Sequence, residues 1–555
     1  MPVSLFRWRP RGGPRLVLIV AALLAVADPA SATVRDAAPP AAVAVTPAAS
    51  PPDPSAVGPG DASAVLYEGV RPDLRDEIVA ATAGRLSRYR IDAALETPTD
   101  GPGTVRGTLD LRFVNATEAP LPELYLRLYA NDPIYAEGGI DVREVAVGGD
   151  PVAAELSVGD TVLRVPLPDP LPDGAALDLT LAFDAMVPVA PPDGYGIFGT
   201  NPDTATWALA HWYPVLAGYD ANGWSIDPVS RNGDPIFSAT ALYDVRLAAA
   251  AELVVVTSGV EVEGREADGI ARRRYVTGPV RDFTVVADDD FVARSRRVNG
   301  TLVTSYHDPD DAAGGATVLD AGAASLRIYA ERFGPYPFRE MDLVEVRLRG
   351  AGGVEFPQLM YMGESLYSEG NRFRNPRYLE FVTAHEVGHQ WWYAVVGNNQ
   401  HLDAFIDEGL TEYVSSEVYF GDRYGAAAGE FQLELEATVW YLNRLFTEGE
   451  EIVDQPTDSF SSGAAYGAMV YGKGAVAFGA LRTEIGDEAF FGGLRAYYAA
   501  HRFGIATPDD LRGAFEGTAG RDLGDFWTSW FERTDGRQVY TEADFAALLE
   551  KLGLR

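Results

Sequence analysis

Phe381-Val382-Thr383-Ala384-His385-Glu386-Val387-Gly388-His389-Gln390-Trp391-Trp392 is the stretch on which the reading of this chain turns, because it sets His-Glu-x-x-His inside an apolar pattern of helical period. Residues four apart lie on one helix face a turn apart, so His385 and His389 can address one ion while Glu386 sits beside them. Two imidazoles with a neighbouring carboxylate suit zinc and a water held close to a base. Zinc in a catalytic centre normally takes three protein ligands and leaves the fourth position to water. A third donor must therefore come from elsewhere.

The next helical pattern opens with Asp407-Glu408-Gly409-Leu410-Thr411-Glu412-Tyr413, and eighteen residues separate His389 from Glu408. That interval lets the first helix end, a loop through Gly397-Asn398-Asn399 reverse the chain, and a second helix return Glu408 to the metal. Taken alone, an acidic residue early in a helix equally suits the helix dipole. Glu412, one turn further on, either orients His385 or is a plain exposed helix residue, and both readings stand. Apolar faces at three and four spacing predict helices over 376–396, 407–420, 431–446 and 473–484. Thr507-Pro508-Asp509-Asp510 reads as a helix start, with N-cap, first-turn proline and acidic residues in order.

Upstream, 313–333 has helical periodicity, the turn Gly334-Pro335-Tyr336-Pro337 follows, and 343–348 is strand-like. Before residue 300 the period falls to two: Leu109, Leu111 and Phe113, then Leu124, Leu126 and Leu128, then runs at 239–247 and 253–257, after a short helix near 71–88. The chain thus divides into a signal peptide (1–32), an Ala/Pro linker (33–65), a β-rich N-terminal domain (66–300) and a mixed, later helical domain (301–555). No nucleophile or metal cluster is evident in the β-rich domain. Arg7, Arg9, Arg11 and Arg15 precede an apolar run at 16–27 and the triplet Ala30-Ser31-Ala32, the order of a cleavable export signal. Its ~12 apolar residues fall short of the ~20 that span a bilayer. The expectation is an exported protein, secreted, periplasmic or at the cell surface, with no membrane span in the mature chain.

The 80 acidic and 45 basic residues leave a net charge of −35, which repels phosphate backbones and anionic lipid, so no nucleic-acid partner is expected. The chain has no cysteine, which excludes disulfides, thiolate nucleophiles and Cys-bound metals. Lys473 and Lys551 are its only lysines. Asparagine triplets of glycosylation type at Asn115 and Asn299 read as chance matches.

The spacing of His385, Glu386, His389 and Glu408 resembles the M1 family of zinc aminopeptidases, in the gluzincin group. Gly352-Gly353-Val354-Glu355-Phe356 stands where that family has Gly-x-Met-Glu-Asn, after a family-like Gly-Pro-Tyr-Pro-Phe ending at Phe338, and Tyr471-Gly472-Lys473-Gly474 resembles its Tyr-x-Lys-Gly. The resemblance covers about residues 80–535. It implies a thermolysin-like α/β-to-helical catalytic domain behind a β-rich one, and one zinc per chain on His385, His389 and Glu408. It also implies Glu386 as proton carrier, Tyr471 as donor to the oxyanion, and Glu355, with Gly352 and Gly353, as the binding site for the N-terminus of a peptide substrate. Without the motif Tyr471 is as well read as a packed aromatic, and Glu355 as a solvated loop carboxylate. Val354 and Phe356 depart from the family, and the β-rich domain offers no clear Gln or Glu for the family's second contact to the substrate amine. The resemblance therefore carries zinc hydrolysis further than amine recognition. An endopeptidase or other hydrolase on the same cleft is one alternative, and a non-catalytic surface-binding protein is another, although a binder has no chemical need for the whole set.

Overall fold

The computed structural model describes residues 64–555 except 99–100, 136, 192–193, 202, 235 and 369–374. The signal peptide expected at 1–32 and nearly all of the linker expected at 33–65 lie outside the described residues. Helix α1 (Pro72–Thr82) opens on a first-turn proline and ends earlier than its sequence pattern suggests, and the strand Ser87–Glu96 takes over. The alternation read in the β-rich region is an alternation of burial. Leu109, Leu111 and Phe113 face inward from the strand Gly103–Val114, and Leu124, Leu126 and Leu128 are buried likewise.

An eight-stranded sheet runs in the spatial order Val260–Ala267, Ile270–Val280, Ala241–Ala250, Ser87–Glu96, Gly103–Val114, Ala176–Val187, Gly139–Val147, Asp150–Pro151. Its one parallel pairing joins Ser87–Glu96 to Ala241–Ala250. Two four-stranded sheets and a two-stranded one complete this β-rich region. Asn115 is fully buried and its side-chain amide donates to the carbonyls of Ala119 and Leu171, so it holds a turn together and is closed to modification.

The second region begins with a five-stranded sheet ordered Val292–Val298, Thr301–His307, Glu340–Val346, Leu359–Gly363, Gly353–Val354. Helix α2 (Ala312–Phe333) makes the long crossover between the parallel strands Thr301–His307 and Glu340–Val346. The short strand Gly353–Val354 forms the antiparallel edge, and after Leu359–Gly363 the remaining elements among the described residues are helices. Thr507 caps its helix as expected, with a reciprocal bond to Asp510.

Helix α3 (Tyr378–Gly388) carries the first motif, and α4 (Glu408–Tyr413) the second. Helix α3 is buried almost all round and packs on α2, where the Tyr329 hydroxyl donates to the Ala384 carbonyl at 2.9 Å. The helix expected over 376–396 stops at Gly388. Beyond it Tyr393 takes a left-handed φ of 132°, and Ala394 and Val396 donate back to His389 and Trp391 in wide turns. The tryptophans that extend the apolar pattern leave the helix for the core, Trp391 lying edge-on to Tyr329 with its indole N–H on the Gly334 carbonyl. A buried arginine ties these parts together. Arg281, from the β-rich region, donates to the carbonyls of Ser238 (3.0 Å), Tyr393 (2.8 Å) and Gly504, three segments far apart in sequence.

Candidate metal centre

The two helices bring the expected donors together. His385 Nε2, His389 Nε2 and Glu408 Oε2 stand 3.1 Å apart on all three edges of a triangle, and all three side chains are buried. Donors at ~2.0–2.2 Å from a tetrahedral ion lie about 3.3–3.5 Å apart, so the triangle is close to the size zinc requires. The outer ring nitrogens support the same assignment. His389 Nδ1 lies 2.9 Å from Asp407 Oδ1 and 3.2 Å from the Trp392 carbonyl, which places its proton on the outside and leaves the Nε2 lone pair facing the triangle. His385 Nδ1 lies 3.2 Å from Glu412 Oε2, out of line for a hydrogen bond but close enough to favour a proton on that side. Of the two readings of Glu412, the buried one holds. Glu408 is itself held well below the usual carboxylate range: burial works against its charge, and His389 and His385 outweigh it. Two imidazole nitrogens and one carboxylate oxygen converging on one point, each residue backed by an acidic or phenolic partner, fit a divalent cation.

Glu386, on α3 between the histidines, is buried, and burial pushes its carboxyl up to about 7 against the opposing pull of His385 and His389. Gly353 lies directly against it. A Cβ at position 353 would fall 2.5 Å from Glu386 Cδ and Oε1, so glycine lets the edge strand pass without displacing the carboxylate. Gly352 is less tightly enclosed, its virtual Cβ meeting Val382 at 3.1 Å.

On the other side of the triangle the Tyr471 hydroxyl donates to Glu408 Oε1 at 2.5 Å, and its ring stacks on His385. Burial first, and Glu408 second, keep its proton on well above the ordinary range, so it is a hydrogen-bond donor throughout the neutral range. This approach depends on the glycine after Glu408: a Cβ on Gly409 would lie 2.8 Å from the Val470 carbonyl and 3.2 Å from Gly474 Cα. Lys473 has a structural task. Its ammonium is buried, 2.6 Å from Glu450 and 2.7 Å from the Arg533 carbonyl.

Glu355 is buried, not solvated, and borders a small cavity lined by Asp234, Ile236, Val354, Phe356, Tyr393 and Gln400. Burial pushes its carboxyl up to about 8, with His389 opposing and Glu408 and Asp407 adding to the rise. Its carboxylate accepts from Gln400 Nε2 at 3.3 Å, while the Gln400 oxygen and the Tyr393 hydroxyl, both buried, have no hydrogen-bond partner among the described residues. Val354 and Phe356, the departures from the family pattern, are core residues, Phe356 lying edge-on to Tyr361 and His211.

The β-rich region does reach the site, with an aspartate where neither a Gln nor a Glu was evident in the sequence. Asp234, Glu355 and Glu408 each place a carboxylate oxygen within 4.8 Å of the others. Burial, then Glu355 and Glu408, raise Asp234 well above its ordinary range. Asp407 was legible only as the neighbour of Glu408. Asp234, in the turn cluster Asn232-Gly233-Asp234-Pro235, carried no signal beyond a loop.

Residues 317–530 match the family model described as Peptidase family M1 domain. Aminopeptidase M1-A of Oryza sativa subsp. japonica is 23% identical over 481 residues, 81% of this chain and 51% of that protein. Aminopeptidase M1 of Arabidopsis thaliana is 28% identical over 247 residues, 42% of this chain and 27% of that protein. The chain thus spans about half, or less, of the length of these relatives. An M1 zinc metallopeptidase from Deinococcus radiodurans has the same fold, with a TM-score of 0.59 at 19% identity, over 80% of this chain and 93% of that one.

Proposed function

From a chain whose residues 317–530 match the model of the peptidase family M1 domain, we propose a zinc-dependent aminopeptidase that removes residues from the free N-terminus of peptides, with one zinc per chain. The observation that carries this reading is the 3.1 Å triangle of His385, His389 and Glu408 with Glu386 and Tyr471 against it. Zinc, when bound, makes a water acidic enough to lose its proton near neutral pH and polarises the scissile carbonyl.

The side chains do the rest. Glu386, with its carboxyl near neutrality, takes the proton of the attacking water and passes it to the leaving amine. The Tyr471 hydroxyl turns from Glu408 to the oxygen of the carbonyl as charge develops there. Glu355 and Asp234 accept from the substrate ammonium, whose arrival draws both into the charged form that burial otherwise disfavours. Export of the chain is supported by the charged, apolar and small-residue order within 1–32, and no helix among the described residues is long and apolar enough to cross a membrane.

Metal analysis with a panel of free and N-acetylated aminoacyl substrates tests the reading. Chelation should abolish hydrolysis, acetylation should depress it sharply, and Glu355→Ala or Asp234→Asn should lower kcat/KM for the free amine roughly tenfold or more, the usual scale for a hydrogen bond to a charged group. Efficient cleavage of acetylated peptides by the unaltered protein would point to an endopeptidase instead.

A further inference from the structure

The carboxylate of Glu355 is loosely held by its own side-chain contact, the 3.3 Å bond from Gln400. Where it points is therefore set by the backbone that carries it, and that backbone is fastened by one buried side-chain amide together with two main-chain bonds, from the Leu359 N–H to the Phe356 carbonyl (3.1 Å) and from the Asp342 N–H to the Gln358 carbonyl (2.8 Å). Gln390 follows His389 directly and is fully buried. Its Nε2 donates to the carbonyls of Glu355 and Phe356, both at 3.3 Å, and its Oε1 accepts from the Gln358 N–H at 2.9 Å. The amide thereby uses both donors and its acceptor on one four-residue loop.

The loop is under tension at its far end. Gln358 holds a left-handed φ of 66°, a conformation that side-chain-bearing residues rarely keep unless their surroundings enforce it. The enforcement comes from three sides: Gln390 on its N–H, the Asp342 N–H on its carbonyl at 2.8 Å, and Thr277 of the β-rich region, whose hydroxyl accepts from Gln358 Nε2 at 2.5 Å. Because Gln390 is joined covalently to the metal donor His389, these bonds fix the Glu355 backbone relative to the metal.

We infer that Gln390 is a positioning residue: it sets the distance between the ammonium-binding carboxylate and the metal, and so determines that the bond cut is the one next to a free N-terminus. This rests on the aminopeptidase reading above. A residue of purely structural importance would weaken all substrates alike. A spacer between anchor and metal acts on the substrate that uses both.

The test is Gln390→Met, which keeps the length and removes all three bonds, assayed with a free aminoacyl anilide and its N-acetyl derivative, with zinc measured on the same preparations. The expected result is a KM for the free amine raised about tenfold with kcat within about threefold. Residual hydrolysis of the acetylated substrate should be unchanged, and zinc should stay at the level of the unaltered protein. In a Glu355→Ala background the same substitution should add less than about twofold, because the group it positions is gone. Gln390→Leu, which loses all three bonds without adding a charge, should give the same pattern, and it carries the test if the methionine variant does not fold. Equal losses on free and acetylated substrates, or full additivity with Glu355→Ala, would overturn the inference. If the unaltered protein ignores acetylation, the aminopeptidase reading fails first, before any variant is made, and this inference falls with it.

Discussion

Gly353→Ala is the smallest change that should disable the site without touching a metal donor. The added methyl would lie 2.5 Å from Glu386 Cδ and Oε1 and 2.6 Å from Cγ, where ordinary contact begins near ~3.4–4 Å. About 1 Å of relief is needed. The edge strand is paired to Leu359–Gly363 and cannot supply it without breaking its ladder, so the freer partner, the Glu386 side chain, must move. A misplacement of about 1 Å in a reacting group costs on the order of 100-fold in rate, and full loss of a general base costs about 10² to 10⁴. The expected outcome is a kcat lowered about 100-fold, with zinc content and melting temperature close to those of the unaltered protein. Gly352→Ala is the control. Its methyl meets Val382 at 3.1 and 3.2 Å, which a small rotation relieves, so its activity should stay within about threefold. Steady-state kinetics on an aminoacyl anilide, with metal analysis of each preparation, decides the matter. A zinc-loaded Gly353→Ala protein as active as the Gly352→Ala control would refute the reasoning.

The two glutamates of the motifs should separate. Glu386→Gln should keep zinc and lose at least about 100-fold in kcat, whereas Glu408→Gln should lose zinc affinity as well, and equal zinc retention in both would contradict their different roles. Glu345, buried beyond the site, gives a pH test of stability. Burial pushes its carboxyl up to about 9, with Asp311 adding and the Asp308 N–H opposing. Its pKa in the unfolded chain is near the ordinary 4.5. The unfolded chain therefore ionises first, and stability present below pH 4.5 is lost as pH rises towards 9, by at most about 1.4 kcal/mol per unit. Glu345→Gln should then raise the melting temperature at pH 8.5 by a few degrees and change it little at pH 5, and a lower melting point at pH 8.5 would show the shift to be misassigned.

The donor set was legible because His385, His389 and Glu408 are fixed by local periodicity and a short loop, and such information survives in a linear reading. The point where α3 ends was not. Trp391, Trp392 and Tyr393 continue an apolar pattern, and the backbone reversal at Tyr393 is imposed by partners such as Arg281, more than a hundred residues away. The helices expected over 407–420, 431–446 and 473–484 are interrupted or preceded by wide turns at Val414–Tyr419, Glu434–Thr438 and Gly467–Lys473. One such turn carries Tyr471. A single wide turn barely disturbs the apolar period, so sequence cannot reveal it. Asp234, Gln390 and Gln358 escaped for a related reason. Their roles lie in contacts between distant segments, and a polar residue in a loop or beside a motif looks the same whether it touches solvent or a buried carbonyl.

Arg281 binds carbonyls from segments that emerge at very different moments of synthesis. Every metal donor has been translated once Glu408 is made, yet Gly504, the last of the three carbonyls, follows much later. Folding of a growing chain proceeds from its N-terminal end, so the guanidinium waits, already surrounded by the β-rich region, for a partner that does not yet exist. Until it arrives, the turn at Tyr393 lacks part of its fastening. A growing chain can therefore hold every metal donor and still lack one fastening of the turn beside them until Gly504 has emerged.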